Sequence, residues 1–363
     1  VEGRSISDNI HLLRNIFDYV EQKNLKCIWL NFDQFKAFDR IERDWLMKVL
    51  ESFGFGQDFL QWVKVLYCDL RTSVIINGHV SAEFDFERGL RQGCPLSPLL
   101  YVLCIEPFSN RIRSNPQIKG LPLPGDDRES KITQYADDNT MTLIDTNSAK
   151  ICFDLFEIYA RASGSELNRT KTKGMWLGRF KDRADTPFGI EWVPQKKLLG
   201  IIFGYGNLKQ ANWGRIFQSF CLVLQENMFR NTSLYGRALV ANSLAVSKIV
   251  FVAQHTIIPN NFRDRFVTKL FDFIWGRKDG QPRYEPIKRG TLYAPAKEGG
   301  INAVSVKLKC EALVIKHILR IIAFSYSDYH PKWTAFAIYW IGLSLREYLS
   351  LIHISEPTRP VMI

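Results

Sequence analysis

Two adjacent carboxylates, Asp137 and Asp138, lie between runs of β-favouring residues. Lys131-Ile132-Thr133-Gln134 leads in and Asn139-Thr140-Met141-Thr142-Leu143-Ile144 leads out. This pattern predicts two short strands with the acidic pair at the tip between them. Neighbouring negative charges at a tight turn repel each other, and a hard divalent cation with oxygen ligands is the compensation that suits them. Asp-Asp is also ordinary turn chemistry. The pair Asp126-Asp127, in the loop Leu121-Pro122-Leu123-Pro124-Gly125-Asp126-Asp127, has no strand flanks and reads as solvated turn alone.

A third carboxylate gives the doublet a partner. Lys26-Cys27-Ile28-Trp29-Leu30-Asn31-Phe32 is a β-rich run that ends at Asp33. It is followed by Gln34-Phe35-Lys36-Ala37-Phe38-Asp39 and then by a helical pattern through Ile41, Trp45, Leu46, Val49 and Leu50. An acid at the end of a buried strand, with an acidic hairpin tip far downstream, is the layout a polymerase palm needs. There, two metal ions about 3.5–4 Å apart are clamped by shared carboxylates. Asp39, with Glu42 three residues later, reads as a capping box for the following helix rather than as another ligand.

The ordered blocks resemble the reverse transcriptase of LINE-type (non-LTR) retrotransposons. Gly3-Arg4-Ser5-Ile6-Ser7-Asp8-Asn9-Ile10 is similar to the segment leading into the palm, and Asp33-Gln34-Phe35-Lys36-Ala37-Phe38-Asp39 to the first metal block. Arg88-Gly89-Leu90-Arg91-Gln92-Gly93-Cys94-Pro95-Leu96-Ser97-Pro98 resembles the block that contacts nucleotide and template, and Tyr135-Ala136-Asp137-Asp138 the second metal block. Ser163-Gly164-Ser165-Glu166-Leu167-Asn168-Arg169-Thr170-Lys171-Thr172 resembles the next block, and Lys197-Leu198-Leu199-Gly200-Ile201 the primer grip. Asn31 and Gln34 depart from the family's usual residues without removing a ligand.

The resemblance implies an α+β fold: a right-hand polymerase palm, built from an antiparallel sheet with packed helices, with partial fingers and a helical thumb. It implies RNA-directed DNA polymerase activity, joining dNTPs to a primer 3′-hydroxyl on an RNA template. Asp33, Asp137 and Asp138 are then the metal ligands for two Mg²⁺ ions, with Mn²⁺ as the alternative. Asp33 and Asp137 are the expected main ligands, with Asp138 supporting. Phe38 packs beneath the sugar and excludes a 2′-hydroxyl, the other reading being a core aromatic. Gln92 and Gly93 line the nucleotide pocket. Arg91 is a phosphate or template contact, or a surface charge. Lys171 protonates the departing pyrophosphate, with Lys173 as competitor, and Arg4 touches the triphosphate. Leu199 and Gly200 form the primer grip. The implied partners are RNA template, DNA primer or target and dNTP. The implied setting is intracellular, with the nucleus as the parent element's workplace.

Charge is divided along the chain. Residues 1–168 carry 19 Lys and Arg against 24 Asp and Glu, and residues 169–363 carry 29 against 13, within an overall +11. The acidic part holds the proposed metal site, and the basic part suits a polyanionic backbone or a solvated surface. Seven cysteines without Cys-x-x-Cys or paired histidine spacing argue against a zinc site or disulfide framework and favour a reducing compartment. No signal peptide opens the chain, and the apolar stretch Trp333 to Leu345, broken by Gly342, is too short for a bilayer, so no membrane is expected. The segment 349–360 resembles a translated sequencing adapter and reads as a non-native tail.

Ser7 is the expected cap of a helix with Ile10, Leu13, Phe17 and Val20 on one face. Thr72 to Ile76 and His79 to Phe86 flank Asn77-Gly78, a hairpin signal. Helices are expected from Pro98 to Ile112, Ser148 to Ala162, Trp213 to Phe229, Leu234 to Ile258, Phe262 to Trp275 and Ile301 to Ile322, with a strand at Gly174 to Leu177. The expected divisions are a lead-in at 1–25, palm with fingers-side insertions at 26–192, primer-grip hairpin at 193–206, basic thumb at 207–325 and an unassigned segment at 326–348. Two other readings remain: an inactive element remnant that only binds nucleic acid, and an RNA-dependent RNA polymerase, which Phe38 disfavours.

Overall fold

The computed structural model describes residues 5–67, 70–277, 284–325 and 330–355. Arg4, Cys68 and residues 356–360 of the expected tail lie outside them. The chain divides into two compact units, one formed by Ile16–Pro194 and the other by Val1–Asn15 with Gln195–Ile363.

Helix α1 (Ile6–Gln22) has residues in both units. Ser7 is not its cap. The Ser5 amide donates to Asp8 Oδ2 at 2.9 Å and Ser5 Oγ accepts from the Ser7 amide at 3.2 Å, so the cap sits two residues earlier, at Ser5.

The unit Ile16–Pro194 is built on a five-stranded sheet in the order β11-β10-β1-β9-β8. Strand β1 (Lys26–Phe32) is central and is followed by helices α2 (Arg43–Ser52) and α3 (Gln57–Tyr67). Two small ribbons follow, β2 (Arg71–Thr72) with β5 (Phe84–Asp85), and β3 (Ile75–Ile76) with β4 (His79–Val80). Asn77 and Gly78 between them both have positive φ, as that turn signal demands. Helix α4 (Ser97–Ser114) precedes β6 (Leu121–Pro122), β7 (Glu129–Ser130), β8 (Ile132–Tyr135) and β9 (Asp138–Leu143). Helix α5 (Thr146–Ser163), β10 (Lys173–Gly178) and β11 (Glu191–Trp192) complete the unit. The expected loop at 121–127 therefore begins as a strand, because Leu121 pairs with Ser130 and its side chain is buried.

Strand β1 runs antiparallel to both β9 and β10 and is buried from Cys27 to Phe32, so neither face is polar. Ile28, Leu30 and Phe32 enter one core with residues of α2, α4 and α5, including Leu46, Tyr101 and Phe156. Trp29, on the opposite parity, meets Phe17 of α1 edge-on at 6.4 Å. Burying an aliphatic or aromatic side chain of this kind is worth about 1.5–3 kcal/mol each, so the strand carrying Asp33 is firmly anchored.

The second unit opens with the hairpin β12 (Gln195–Leu198) and β13 (Ile201–Gly204) and continues through α6 (Leu208–Asn227) and α7 (Leu234–Val240). A π-helical stretch (Ala241–Val246) joins α7 to α8 (Ser247–His255). Helices α9 (Asn260–Ile274), α10 (Arg289–Tyr293), α11 (Val306–Ser325) and α12 (Trp333–Ser355) follow. Helix α6 starts earlier than its apolar period suggests because the Asn207 side chain accepts from the Gln210 amide at 3.0 Å. Helix α11 starts later than Ile301. The Ala303 amide bonds the Leu292 carbonyl, and the Asn242 side chain takes the Asn302 carbonyl and the Val304 amide, holding that segment out of the helix. Among the described residues, Leu234–His255, rather than the segment from Trp333, is the helix long and apolar enough to cross a membrane by length and composition. Within this unit it buries Ala238, Ala241, Ala245, Ile249 and Val252.

Candidate active site

The β8–β9 hairpin pairs Tyr135 with Asp138, leaving Ala136 and Asp137 as a two-residue turn with Ala136 at φ 52°. Strand β1 reaches Phe32 opposite Asn139 of β9. Asp33 and Asp138 follow directly on that last pair, one on each strand, and Asp137 lies in the turn. Asn139 Nδ2 donates to the Asp137 carbonyl at 3.0 Å and steadies the turn. The donor chemistry suits a hard divalent cation. Among the described residues, however, no three His, Cys, Asp or Glu side chains are close enough to form a closed metal cage.

Asp33 is fixed from its other side by the block that ends at Thr172. Its amide donates to Thr172 Oγ1 at 3.1 Å, and its carbonyl accepts from the Asn168 amide at 2.8 Å. Gly164, at φ 77°, closes α5, and a Cβ there would lie 2.6 Å from the Arg40 carbonyl. Arg40 in turn bonds the Gly164 carbonyl at 3.1 Å and Glu166 at 2.8 Å. Those contacts bind the 163–172 block to the segment after Asp33.

The nucleotide-block candidates also meet. The Leu90 amide donates to the Phe38 carbonyl at 2.7 Å and the Gly89 amide to the Ile41 carbonyl at 2.8 Å. Gly89, at φ 92°, leaves no room for a Cβ, which would stand 2.6 Å from the Asp39 carbonyl oxygen. Asp39 does not cap α2, whose N-cap Glu42 makes no side-chain cap bond. Its carboxylate instead accepts from Gln92 Nε2 at 2.9 Å. The structure thus brings Phe38, Asp39 and Gln92 together. Gly93, at φ 84°, and Arg91 are exposed beside them. The Arg91 carbonyl accepts from Ser97 Oγ at 2.6 Å at the start of α4.

Phe38 is partly buried and stacks on Tyr101 of α4, with ring centroids 4.5 Å apart and planes 21° apart. Tyr101 is fully buried. Burial, with the Tyr159 and Asp137 charges adding, pushes its phenol up from the ordinary value, so it stays protonated. Residue type alone did not signal Tyr101, Asp39 or Thr172.

Lys171 is exposed in the turn after Asn168. Its competitor Lys173 is occupied, bonding the Thr170 carbonyl at 2.6 Å and pairing with Glu191. In the second unit, Leu199 (φ 47°) and Gly200 (φ 86°) form the tip of the β12–β13 hairpin. The Asn212 side chain holds both the amide and the carbonyl of Ile202, at 2.9 and 3.0 Å. A Cβ on Gly200 would meet the Phe251 ring at 2.6 Å, so that ring packs directly on the tip.

Residues 1–203 match the family described as reverse transcriptase (RNA-dependent DNA polymerase). An uncharacterized 149 kDa protein of transposon TX1 from Xenopus laevis is 30% identical over 348 residues, covering 93% of this chain and 25% of that protein. The retrovirus-related Pol polyprotein of the type-2 retrotransposable element R2DM from Drosophila melanogaster is 30% identical over 100 residues, covering 28% of this chain and 10% of that protein. The chain therefore spans a quarter or less of the length of these two relatives. Among solved structures, apo telomerase from Candida tropicalis aligns at a TM-score of 0.41 with 12% identity, over 75% of this chain and 50% of that one. With the family match covering more than half of the residues, the chain belongs to the reverse transcriptase (RNA-dependent DNA polymerase) family, and the relatives named here are proteins of transposable elements.

Proposed function

We propose that this chain extends a primer 3′-hydroxyl with deoxynucleotides on an RNA template, using Asp33, Asp137 and Asp138 as its metal-binding acids. In this reading residues 26–192 are the palm with its fingers side, 193–206 the primer grip and 207–325 the thumb. The β1–β9 register, whose last pair, Phe32 with Asn139, lies next in sequence to Asp33 and to Asp138, supports the reading. Reverse transcriptases use divalent metal ions and bind nucleic acid. Two Mg²⁺ ions, or Mn²⁺, held by these acids would lower the pKa of the 3′-hydroxyl and neutralise charge at the α-phosphate and the leaving pyrophosphate.

The remaining work falls to the protein. The Thr172 and Asn168 contacts fix the backbone at Asp33, so its carboxylate has a set origin. The Phe38 ring, backed by Tyr101, fills the space at the sugar 2′ position and selects deoxyribose. Gln92 is held by Asp39 and presents its amide to the nucleotide, while Gly93 allows close backbone approach. Arg91 offers a cation for phosphate, and Lys171 donates a proton to departing pyrophosphate. Leu199 and Gly200 seat the primer end. The parent element would copy its RNA at a nicked chromosomal site in the nucleus.

The test is primer extension on an RNA template with dNTPs and Mg²⁺, comparing the chain with Asp137→Ala and Asp33→Asn. Extension should vanish in both variants while their folds, followed by circular dichroism, stay intact. Extension that survives Asp137→Ala refutes the assignment. Nucleic-acid binding without extension in the parent chain would favour the inactive remnant, and equal use of rNTPs the RNA polymerase.

A further inference from the structure

We propose that a cavity between α1, α8 and α11 in the second unit is a binding site for a phosphate group. It encloses about 300 Å³ and is lined by Ser7, His11, Gln254, Lys316, His317 and Arg320, among others. The reading does not depend on the metal-site assignment, because every residue involved lies in Val1–Asn15 or Gln195–Ile363.

Three imidazoles from distant parts of the chain meet here. His11 stacks on His317 at 3.8 Å with planes 21° apart, and His255 lies 5.0 Å from His11. His11 is 8% exposed and His255 3%. Among the described residues no ring nitrogen of the three makes a hydrogen bond, and both nitrogens of His255 are buried without a partner. Buried polar atoms are normally satisfied, and the two orphaned nitrogens belong to His255, which packs on His11 but is not itself in the cavity lining; His11 and His317 are the imidazoles that line it. The rings are stacked rather than convergent, and among the described residues no group can hold a metal ion.

The charges have the matching sign. Lys316 and Arg320 line the cavity from α11, and Arg14 reaches the His255 carbonyl from α1. The opposing acid is Asp8, already committed to Arg320 at 2.8 Å and to Trp333 Nε1 at 2.9 Å. Burial first, then repulsion from His317 and, after it, from the other charged neighbours including Arg14 and Arg320, holds His11 down at about 2 and His255 at about 4. His317 is also lowered, by burial and by Arg320. An oxyanion would remove that penalty: the rings take up protons from solvent and turn from orphaned acceptors into donors. Several N–H and N⁺–H donors around one small volume suit a phosphate, with its several acceptor oxygens.

The test follows the six histidines of the full chain by NMR, titrating pH with and without inorganic phosphate at matched ionic strength. A second arm uses a short oligonucleotide with a 5′-hydroxyl, which offers only backbone phosphodiesters. Phosphate should raise the pKa values of His11 and His317, and its affinity should increase as pH falls, by about tenfold for each proton and pH unit. Lys316→Ala, at an exposed position that leaves the packing alone, should weaken phosphate about tenfold, whereas Lys309→Ala, two turns away, should not. Equal shifts with the oligonucleotide assign the site to a nucleic-acid strand, and shifts with inorganic phosphate alone assign it to a free phosphate. Unchanged histidine titrations in both arms overturn the proposal, as does undiminished phosphate affinity in Lys316→Ala.

Discussion

Replacing Gly89 by alanine tests whether the strap at 88–92 positions the nucleotide site. The backbone there has φ 92°, and a Cβ would stand 2.6–2.8 Å from the carbonyl oxygen, carbon and Cα of Asp39. Those atoms belong to backbone and cannot swing aside as a flexible side chain would. An L side chain in this region of φ costs roughly 1–2 kcal/mol, and forcing extra volume into a packed contact about 1–3 kcal/mol. The sum is about 2–5 kcal/mol, which at about 2–4 °C per kcal/mol lowers the melting temperature by about 4–20 °C. The strap's amides hold Phe38 and Ile41 through their carbonyls, and Asp39 holds Gln92, so displacement should also raise the KM for dNTP and relax discrimination against rNTP. Calorimetry and steady-state single-nucleotide addition would measure both. A Gly89→Ala chain with unaltered melting and unaltered nucleotide kinetics would show that the strap does not bear on the pocket.

Three further outcomes are expected. Thr172→Val leaves the Asp33 amide without its acceptor, costing about 1–3 kcal/mol and slowing extension, whereas Thr172→Ser should restore both in the same assays. Asp39→Ala releases Gln92 at an exposed position. The KM for dNTP should therefore rise while the melting temperature shifts by no more than about 0.5 kcal/mol allows, and a loss of fold would instead mark Asp39 as structural. Stability should fall as pH drops below about 6.5, because His11 and His255 have folded-state values of about 2 and about 4 against an unperturbed 6.5. The unfolded chain binds protons that the folded one refuses, so the stability is complete above pH 6.5 and is lost toward pH 4, roughly 2 kcal/mol per site between pH 7 and 5. Urea midpoints across that range check this, and His11→Phe should flatten the curve.

Much of the sheet in the Ile16–Pro194 unit was legible because its strands advertise themselves locally. The apolar run ending at Asp33 and the flanked doublet at Asp137-Asp138 each predict their element, and the structure pairs them. Asp39 was misread for an equally local reason. An acid three residues before a glutamate looks like a capping box, and nothing nearby reveals a partner 53 residues away in Gln92. Which of the two acids lies in the turn and which on the strand was not legible either, since that depends on a two-residue turn whose length the alternation leaves open. The histidine group at 11, 255 and 317 is beyond any window of local pattern, because only the packing of three helices assembles it.

The widened helical turns from Ala241 to Val246 accommodate one residue more than ordinary winding would. Trimming a single residue inside them would restore ordinary winding and leave the faces beyond in register. The same loss from the ordinary turns of α8 ahead of Phe251 would swing everything after it by about 100°. Phe251 would then leave the Gly200 tip and His255 would leave His11 in the same movement. One-residue deletions should therefore be tolerated inside this stretch but not just after it, where the hairpin tip and the histidine group should fail together.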